Sequence, residues 1–212
     1  MNYAPLVSGL FSILVLIVMS GQTVPARQTP EASLAQVQQA LDSRDSALFE
    51  RRVDVDGLVT QGVALLEERL READTNGRTL PPALALMAGS LRNPSLAPAV
   101  REMLIRELSA FVRSGIASGS LNGGSRQQAR SDGMLARFLP AISTGRKTLR
   151  AHSAPRMEQE GCVMTATLHD AGNGSDYPLE LFMQPEDDGW KVRQVRNMRA
   201  LLKQLEAEVS TD

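Results

Sequence analysis

The residues best suited to proton transfer or metal binding are two histidines and a pair of aspartates. His169 precedes Asp170, and an imidazole beside a carboxylate can act as a general base or bind a metal. Asp54 and Asp56 lie in a Val-Asp-Val-Asp stretch, where two carboxylates could hold a cation. His152 is the other histidine, and no third ligand has a spacing typical of a metal site. We therefore predict no metal and no cofactor, and keep His169 and Asp54 as candidate catalytic bases.

The other motifs do not indicate a catalytic centre. Residues 145–148 read Gly-Arg-Lys-Thr, which resembles the end of a phosphate-binding loop but lacks its earlier glycine. Cys162 is the single cysteine, so a disulfide within the chain is excluded. It alternates with apolar residues, and we predict a buried structural thiol.

A basic segment at 126–156 is the strongest charge feature of the chain. It can contact an acidic partner or lipid headgroups, or it can be a solvated face balanced by the acidic residues that follow. No aromatic residues interleave to stack on bases, so we do not predict nucleic-acid binding. The residues assigned to the possible contact surface are Arg137, Arg146, Lys147 and Arg150.

Length and composition indicate one globular domain with an N-terminal appendage. The chain has 212 residues, of which 42% are apolar and 22% are charged, and its net charge is −1. Aromatic residues make up only 4%, so the core must be built from Leu, Val, Ala and Met.

The N-terminal appendage is apolar. Residues 4–21 carry no charged side chain and reach about 18 residues, the lower limit for crossing a bilayer. We predict that 1–21 is a signal peptide or a membrane anchor, that 22–29 is a linker, and that 30–212 lies outside the cytoplasm, in the periplasm or secreted. Whether the segment is cleaved stays open, and a buried helix of a soluble domain is the alternative.

The first half of the domain, 30–139, has helical patterns. Thr-Pro-Glu at 29–31 predicts a helix start, and a break is expected at 43–45. Asp56 is expected to cap a helix at 57–72. Pro81-Pro82 and Asn93-Pro94 predict the starts of two further helices, followed by a mobile loop at 114–125 and a helix at 127–139.

The second half, 157–209, alternates with period two and then turns helical. Two apolar rows predict paired strands: Cys162, Met164, Ala166 and Leu168, then Tyr177, Leu179, Leu181 and Met183. Asp-Asp-Gly at 187–189 predicts a tight turn into a strand with Trp190 and Val192. Met198, Leu201, Leu202, Leu205 and Val209 predict a helix that folds back over this hairpin and buries Trp190. The fold class is therefore α+β, with at least three antiparallel strands.

Two stretches resemble nuclear transport factor 2-like domains and the related cystatin-like shape. Residues 40–54, with Leu-Phe-Glu-Arg-Arg-Val-Asp at their end, resemble the opening helices, and Asp-Gly-Trp-Lys-Val at 188–192 resembles the last hairpin. The resemblance implies a curved antiparallel sheet around helices with a cone-like pocket. Many bacterial members are envelope proteins of unknown function, others are non-catalytic scaffolds, and a minority are enzymes. No catalytic residue of the enzymes matches this chain.

We therefore predict a non-catalytic extracytoplasmic binding or assembly module. Its partner would be an envelope protein or a second copy, with residues 4–21 in the membrane. The alternative is a small-molecule-binding enzyme that uses a pocket lined by Trp190 and Tyr177, with His169 or Asp54 as base. A helical docking protein whose hairpin only caps a bundle is a third possibility.

Overall fold

The computed structural model describes residues 28–75, 82–123, 145–151 and 153–209, and these form an α+β domain. Five helices precede an antiparallel sheet, and a sixth follows it. In chain order the elements are α1 (Pro30–Ser43), α2 (Ser46–Arg52), α3 (Val55–Thr75), α4 (Pro82–Arg92), α5 (Ala97–Ser118), β1 (Lys147–Ala151), β2 (Arg156–Glu158), β3 (Gly161–Asp170), β4 (Ser175–Glu186), β5 (Gly189–Val195) and α6 (Met198–Val209). The predicted fold class is confirmed.

The sheet has the order β1-β3-β4-β5, and β2 lies on the same side of β3 as β1. The register places Cys162 opposite Met183 and Leu168 opposite Tyr177. Side chains on paired strands share a face when their residues are opposite each other, so the two predicted apolar rows form one inner face. The rows are confirmed, whereas β1 was not predicted.

Helix α1 crosses the inner face from one side of the sheet to the other. Thr29 caps it, because its hydroxyl accepts a hydrogen bond from Ala32 N–H, and Pro30 occupies its first turn. Leu34 and Val37 of α1 are buried in the same cluster as the inner face of the sheet. The predicted helix start and the break at 43–45 are confirmed.

Two glutamine side chains close the outer edges of the sheet. Gln38 of α1 donates to Lys147 O (3.2 Å) and accepts from Leu149 N–H (2.6 Å) on β1. Gln61 of α3 donates to Val195 O (2.7 Å) and accepts from Val195 N–H (3.2 Å) on β5. Each amide thus supplies the donor and the acceptor that a neighbouring strand would supply, which leaves the edge less open to other chains.

Helix α6 closes the part of β4 that lies beyond the end of β5. Asn197 accepts from Glu180 N–H (2.9 Å) and donates to Pro178 O (2.7 Å), and Gln204 donates to Asp176 O (3.1 Å). The helix therefore lies beside the first half of β4. Trp190 pairs with Pro185 near the other end of that strand.

The prediction that the last helix buries Trp190 is therefore wrong. Trp190 is half-buried and packs against the core. Its backbone N–H donates to Ser33 Oγ of α1 at 2.9 Å. The period of α6 correctly indicated a helix with an apolar face, and Met198 and Leu201 pack against the core. Periodicity does not say which strand such a face covers.

A buried arginine joins α1, α2 and the turn between β4 and β5. Arg52 has a side-chain exposure of 4%, and its guanidinium donates two hydrogen bonds to the carboxylate of Asp188, at 2.8 and 3.1 Å. Its Nε donates to Gln36 Oε1 of α1 at 2.6 Å. The hydrogen bonds from Arg52 lower the pKa of Asp188.

Helices α3, α4 and α5 pack on one another, and a buried carboxylate joins α3 to α5. Glu67 of α3 is 5% exposed and accepts two hydrogen bonds from Arg101 of α5, at 2.7 and 2.9 Å. These bonds lower the pKa of Glu67. An ion pair at this depth requires good geometry to compensate for desolvation, and the bidentate arrangement provides it.

Two local predictions in the helical half are wrong. The start of α3 is capped by Asp54, which accepts from Gly57 N–H at 3.1 Å, instead of by Asp56. Residues 114–118 belong to α5 instead of a mobile loop, and Gly119, at φ +75°, ends the helix. Small residues serve close packing at this end, because a Cβ on Gly115 would lie 2.5 Å from the Leu121 side chain.

Glycine is required where two backbones touch at the ends of β3. A Cβ on Gly161 would lie 2.1 Å from Met183 O. A Cβ on Gly145, which precedes β1, would lie 2.0 Å from the backbone nitrogen of Gly172. Both distances are far below van der Waals contact, so no other residue fits without moving the backbone.

Some predictions fall outside the described residues. They are the apolar segment 4–21, nearly all of the linker 22–29, and the helix at 127–139. Of the helices that the structure does describe, none is both long and apolar enough to cross a bilayer.

Removing the charge of Asp188 tests the Arg52 contact. We expect Asp188→Asn to lower the free energy of unfolding by about 1 kcal/mol, because the buried guanidinium loses its counter-ion while solvent screens the 58% exposed carboxylate. The pKa of Asp188 is lowered in the folded state, so its contribution is full above about pH 4 and is lost as the pH falls further. Urea unfolding against pH measures both effects. The neighbouring Asp187→Asn is the control, and equal effects of the two variants would contradict the assignment.

Replacing Gln61 tests the closed edge at β5. Gln61→Leu leaves the N–H and C=O of Val195 without their partners, and we expect a loss of about 1–3 kcal/mol. Hydrogen exchange should accelerate at the Val195 amide and stay unchanged at Leu149, whereas Gln38→Leu should do the reverse. Exchange that accelerates equally at both sites would indicate general destabilisation instead.

Candidate functional site

His169 lies near the end of β3, in a pair with Asp176 across the ladder. Its Nδ1 is 2.8 Å from Asp176 Oδ1, and the side chains are 36% and 68% exposed. An exposed pair of this kind is well solvated, and ion pairs at such positions contribute little to stability. The carboxylate can orient the ring, and Thr148 of β1 lies opposite His169 on the other side of β3.

Asp54 is occupied by structural contacts. One carboxylate oxygen caps α3, and the other accepts from Arg193 Nη1 of β5 at 3.0 Å. Arg193 also pairs with Glu186 across the β4–β5 hairpin. A base must be free to accept a proton, whereas both oxygens of Asp54 already accept hydrogen bonds.

The two candidate bases do not form one site. Asp54 N–H donates to Val192 O, and Val192 is linked through Met183 to Cys162 in the ladder. His169 lies seven positions further along β3, so the two side chains are separated by about 23 Å at ~3.3 Å per residue. No single substrate atom can be within hydrogen-bond distance of both.

The basic residues divide into exposed and structural members. Arg146 is 65% exposed and pairs with Asp42 of α1 at 3.2 Å, and Arg150 is exposed on β1 opposite Thr167. Lys147 is only 14% exposed, and its Nζ lies 3.2 Å from the buried carboxylate of Asp170. Arg137 and His152 lie outside the described residues. Of the members that the structure describes, Arg146 and Arg150 are therefore the two placed to meet a partner.

A shallow groove lies between α3 and α6. Its volume is about 310 Å³, close to the lower limit of ligand sites. Ala64, Leu65 and Met198 line it, and Arg199 crosses its rim to Glu68, with oxygen distances of 2.6 and 2.8 Å. Trp190, Tyr177, His169 and Asp54 do not line this groove.

The described residues contain no group of three or more His, Cys, Asp or Glu side chains that could hold a metal ion. Two-residue pairs, such as the one at His169, lack the ligand number of known metal sites. Neither a family model, nor a curated protein, nor a solved structure matches this chain. The likeness to nuclear transport factor 2-like domains therefore stays an expectation.

The features that sequence reasoning missed are the structural uses of polar residues. The pairing of Arg52 with Asp188 joins positions 136 apart, and no periodic pattern connects them. Residues 48–54 contain two adjacent arginines, Arg51 and Arg52, and the sequence does not indicate which of the two is buried. The burial of Arg52 could have been suspected from its place between Phe49 and Val53 on the apolar side of α2.

Cys162 is enclosed by the core and should not react in the folded protein. Burial, with smaller contributions from Glu31 and Glu158, raises the pKa of its thiol to about 11. We expect iodoacetamide to modify Cys162 only after denaturation, as followed by mass spectrometry. In the control variant Gln159→Cys, the added exposed thiol should react in the folded state. Rapid native modification of Cys162 would contradict the burial.

Proposed function

We propose that this chain is a non-catalytic binding or assembly module that acts outside the cytoplasm, exported or anchored through residues 4–21. The observation that carries the proposal is that the side chains of this chain best suited to chemistry already serve structural roles. Asp54 caps a helix, Asp170 holds Lys147, and Cys162 is buried. What is left at the surface is suited to contact with another molecule.

The geometry supports this function better than the alternative of a small-molecule enzyme. General-base catalysis needs a base within about 3 Å of the proton it removes, with a substrate held beside it. His169 is half-exposed on the sheet and does not line the groove, and the groove has no candidate base except Glu68, which is paired with Arg199. An enzyme would have to assemble its site from residues that this arrangement keeps apart.

The proposed contact surface consists of Arg146 and Arg150, and the partner would present acidic groups to it. The Arg146–Asp42 pair is solvent-exposed, and such a pair is worth about 0–1 kcal/mol, so a partner carboxylate can replace Asp42 at little cost. Arg150 forms no ion pair with another described residue. Lys147 is excluded from the surface because it is needed by Asp170.

Charge reversal tests the surface. We expect the double variant Arg146→Glu/Arg150→Glu to reduce co-purification of an acidic envelope partner about tenfold or more, since each reversal replaces attraction by repulsion. The measurement is quantitative mass spectrometry of proteins cross-linked to the full chain in its own cells.

The matched control is Arg51→Glu/Arg106→Glu, which makes the same change in net charge at exposed positions on α2 and α5. Its partner recovery should equal that of the wild type. Equal losses for both double variants would show a general charge effect, and no loss for either would remove Arg146 and Arg150 as the contact surface.

A further inference from the structure

Strand β2 forms an exposed edge of the sheet. Its central residue, Met157, is 63% exposed, and its flanking residues pair with β3, Arg156 opposite Val163 and Glu158 opposite Gly161. The odd-numbered residues of β3 direct their N–H and C=O groups toward β2, as the hydrogen bond from Thr165 N–H to Ser153 Oγ on that side shows. Arg156 and Glu158 therefore bond to β3, and the N–H and C=O of Met157 point away from the sheet.

The other edges of the sheet are closed by side chains, whereas no described side chain bonds to the backbone of Met157. Gln38 covers β1, Gln61 covers β5, and Asn197 covers the first half of β4. An edge strand with free backbone groups and an exposed apolar side chain is a template for pairing with another strand. The residues around Met157 decide which strand fits.

The charge pattern of β2 is complementary to itself. Arg156, Met157 and Glu158 read positive, apolar, negative, and an antiparallel copy presents the same pattern in reverse. With the axis at Met157, each Arg156 faces Glu158 of the other copy, and the two Met157 backbones exchange both hydrogen bonds. A strand of uniform charge would place like charges opposite each other at both pairs.

We propose that β2 pairs with β2 of a second copy around a two-fold axis at Met157, joining the two sheets. Such an isologous contact is the commonest kind in homodimers. Two hydrogen bonds from Arg196, at 2.6 and 2.9 Å, hold Glu158 in place to receive a cation. Arg156 is 73% exposed and lies 3.5 Å from Glu158 of its own chain, so it can turn to the second copy at little cost.

The pairing should be weak and reversible. Pro155, which has no N–H, precedes β2, and the chain turns into β3 at Gly161, so each copy contributes a ladder of three residues. A contact of this size falls in the class of transient interfaces. The inference concerns a surface other than Arg146 and Arg150 and does not depend on them.

The first experiment uses capture of an untagged full chain by a tagged full chain, both purified in detergent, over a range of concentrations. We expect Met157→Lys in both copies to weaken capture at least tenfold, because two like charges would meet at the axis. Leu86→Lys, at an apolar side chain on α4 that is 75% exposed, is the control and should capture like the wild type. Capture that survives Met157→Lys would overturn the proposal.

The second experiment separates this contact from association through residues 4–21. Arg156→Glu alone and Glu158→Lys alone should each lose self-capture, since each places like charges opposite one another. A tagged Arg156→Glu chain should nevertheless capture Glu158→Lys, because opposite charges then meet at both pairs. A mixture that binds no better than either variant alone would overturn the proposal.

Two checks keep these results interpretable. Circular dichroism and thermal unfolding should show that Arg156→Glu, Met157→Lys and Glu158→Lys stay folded, since Arg156 and Met157 are exposed and Glu158→Lys loses only partly exposed ion pairs, chiefly the one with Arg196. Arg146→Glu/Arg150→Glu should retain self-capture, so loss of the acidic partner and loss of the second copy are distinguishable.

Discussion

The backbone groups at the edges of a sheet need hydrogen-bond partners, and this requirement organises the whole domain. The outward N–H and C=O groups of β1, β2 and β5 have no neighbouring strand, and leaving such groups unpaired in a partly buried place is costly. This chain meets the need with side-chain amides from the helices: Gln38, Gln61, Asn197 and Gln204. Two kinds of contact thus fix the position of the helices: their apolar faces pack on the core, and their side-chain amides bond to the strand edges.

Apolar packing and polar edge contacts support each other in this arrangement. Helix α1 buries Leu34 and Val37 on the sheet, and its Gln38 then reaches β1 in the correct register. Arg52 links the same helix to the turn at Asp188. Most of the polar residues that could serve chemistry are consequently used to hold one layer on the other. The surfaces for which we propose contacts, Arg146 with Arg150 and the strand β2, lie outside this packing.

The elements that sequence could predict are those with a strong period. The alternation at Cys162 and at Tyr177 predicted two strands and their common face, and the spacing from Met198 predicted the last helix. Strand β1 escaped because Lys-Thr-Leu-Arg-Ala has one large apolar side chain, and its place depends on the amide of Gln38. The capping role of Asp54 instead of Asp56 depends on where β5 fixes the backbone of residues 53–54. The candidate bases were found by residue type, but their separation is a property of the ladder, which no local pattern contains.

The glycine contacts at the two ends of β3 limit which residues related chains can carry at these positions. A Cβ at Gly161 would collide with the carbonyl of Met183, and one at Gly145 with the nitrogen of Gly172, whatever the residue type. Helix faces tolerate exchange among Leu, Val, Ala and Met, so they can diverge until no ancestry is visible in them. Gly145 and Gly161, 16 positions apart on either side of β1 and β2, lack such freedom, so this pair would outlast that drift and mark distant kin of this chain.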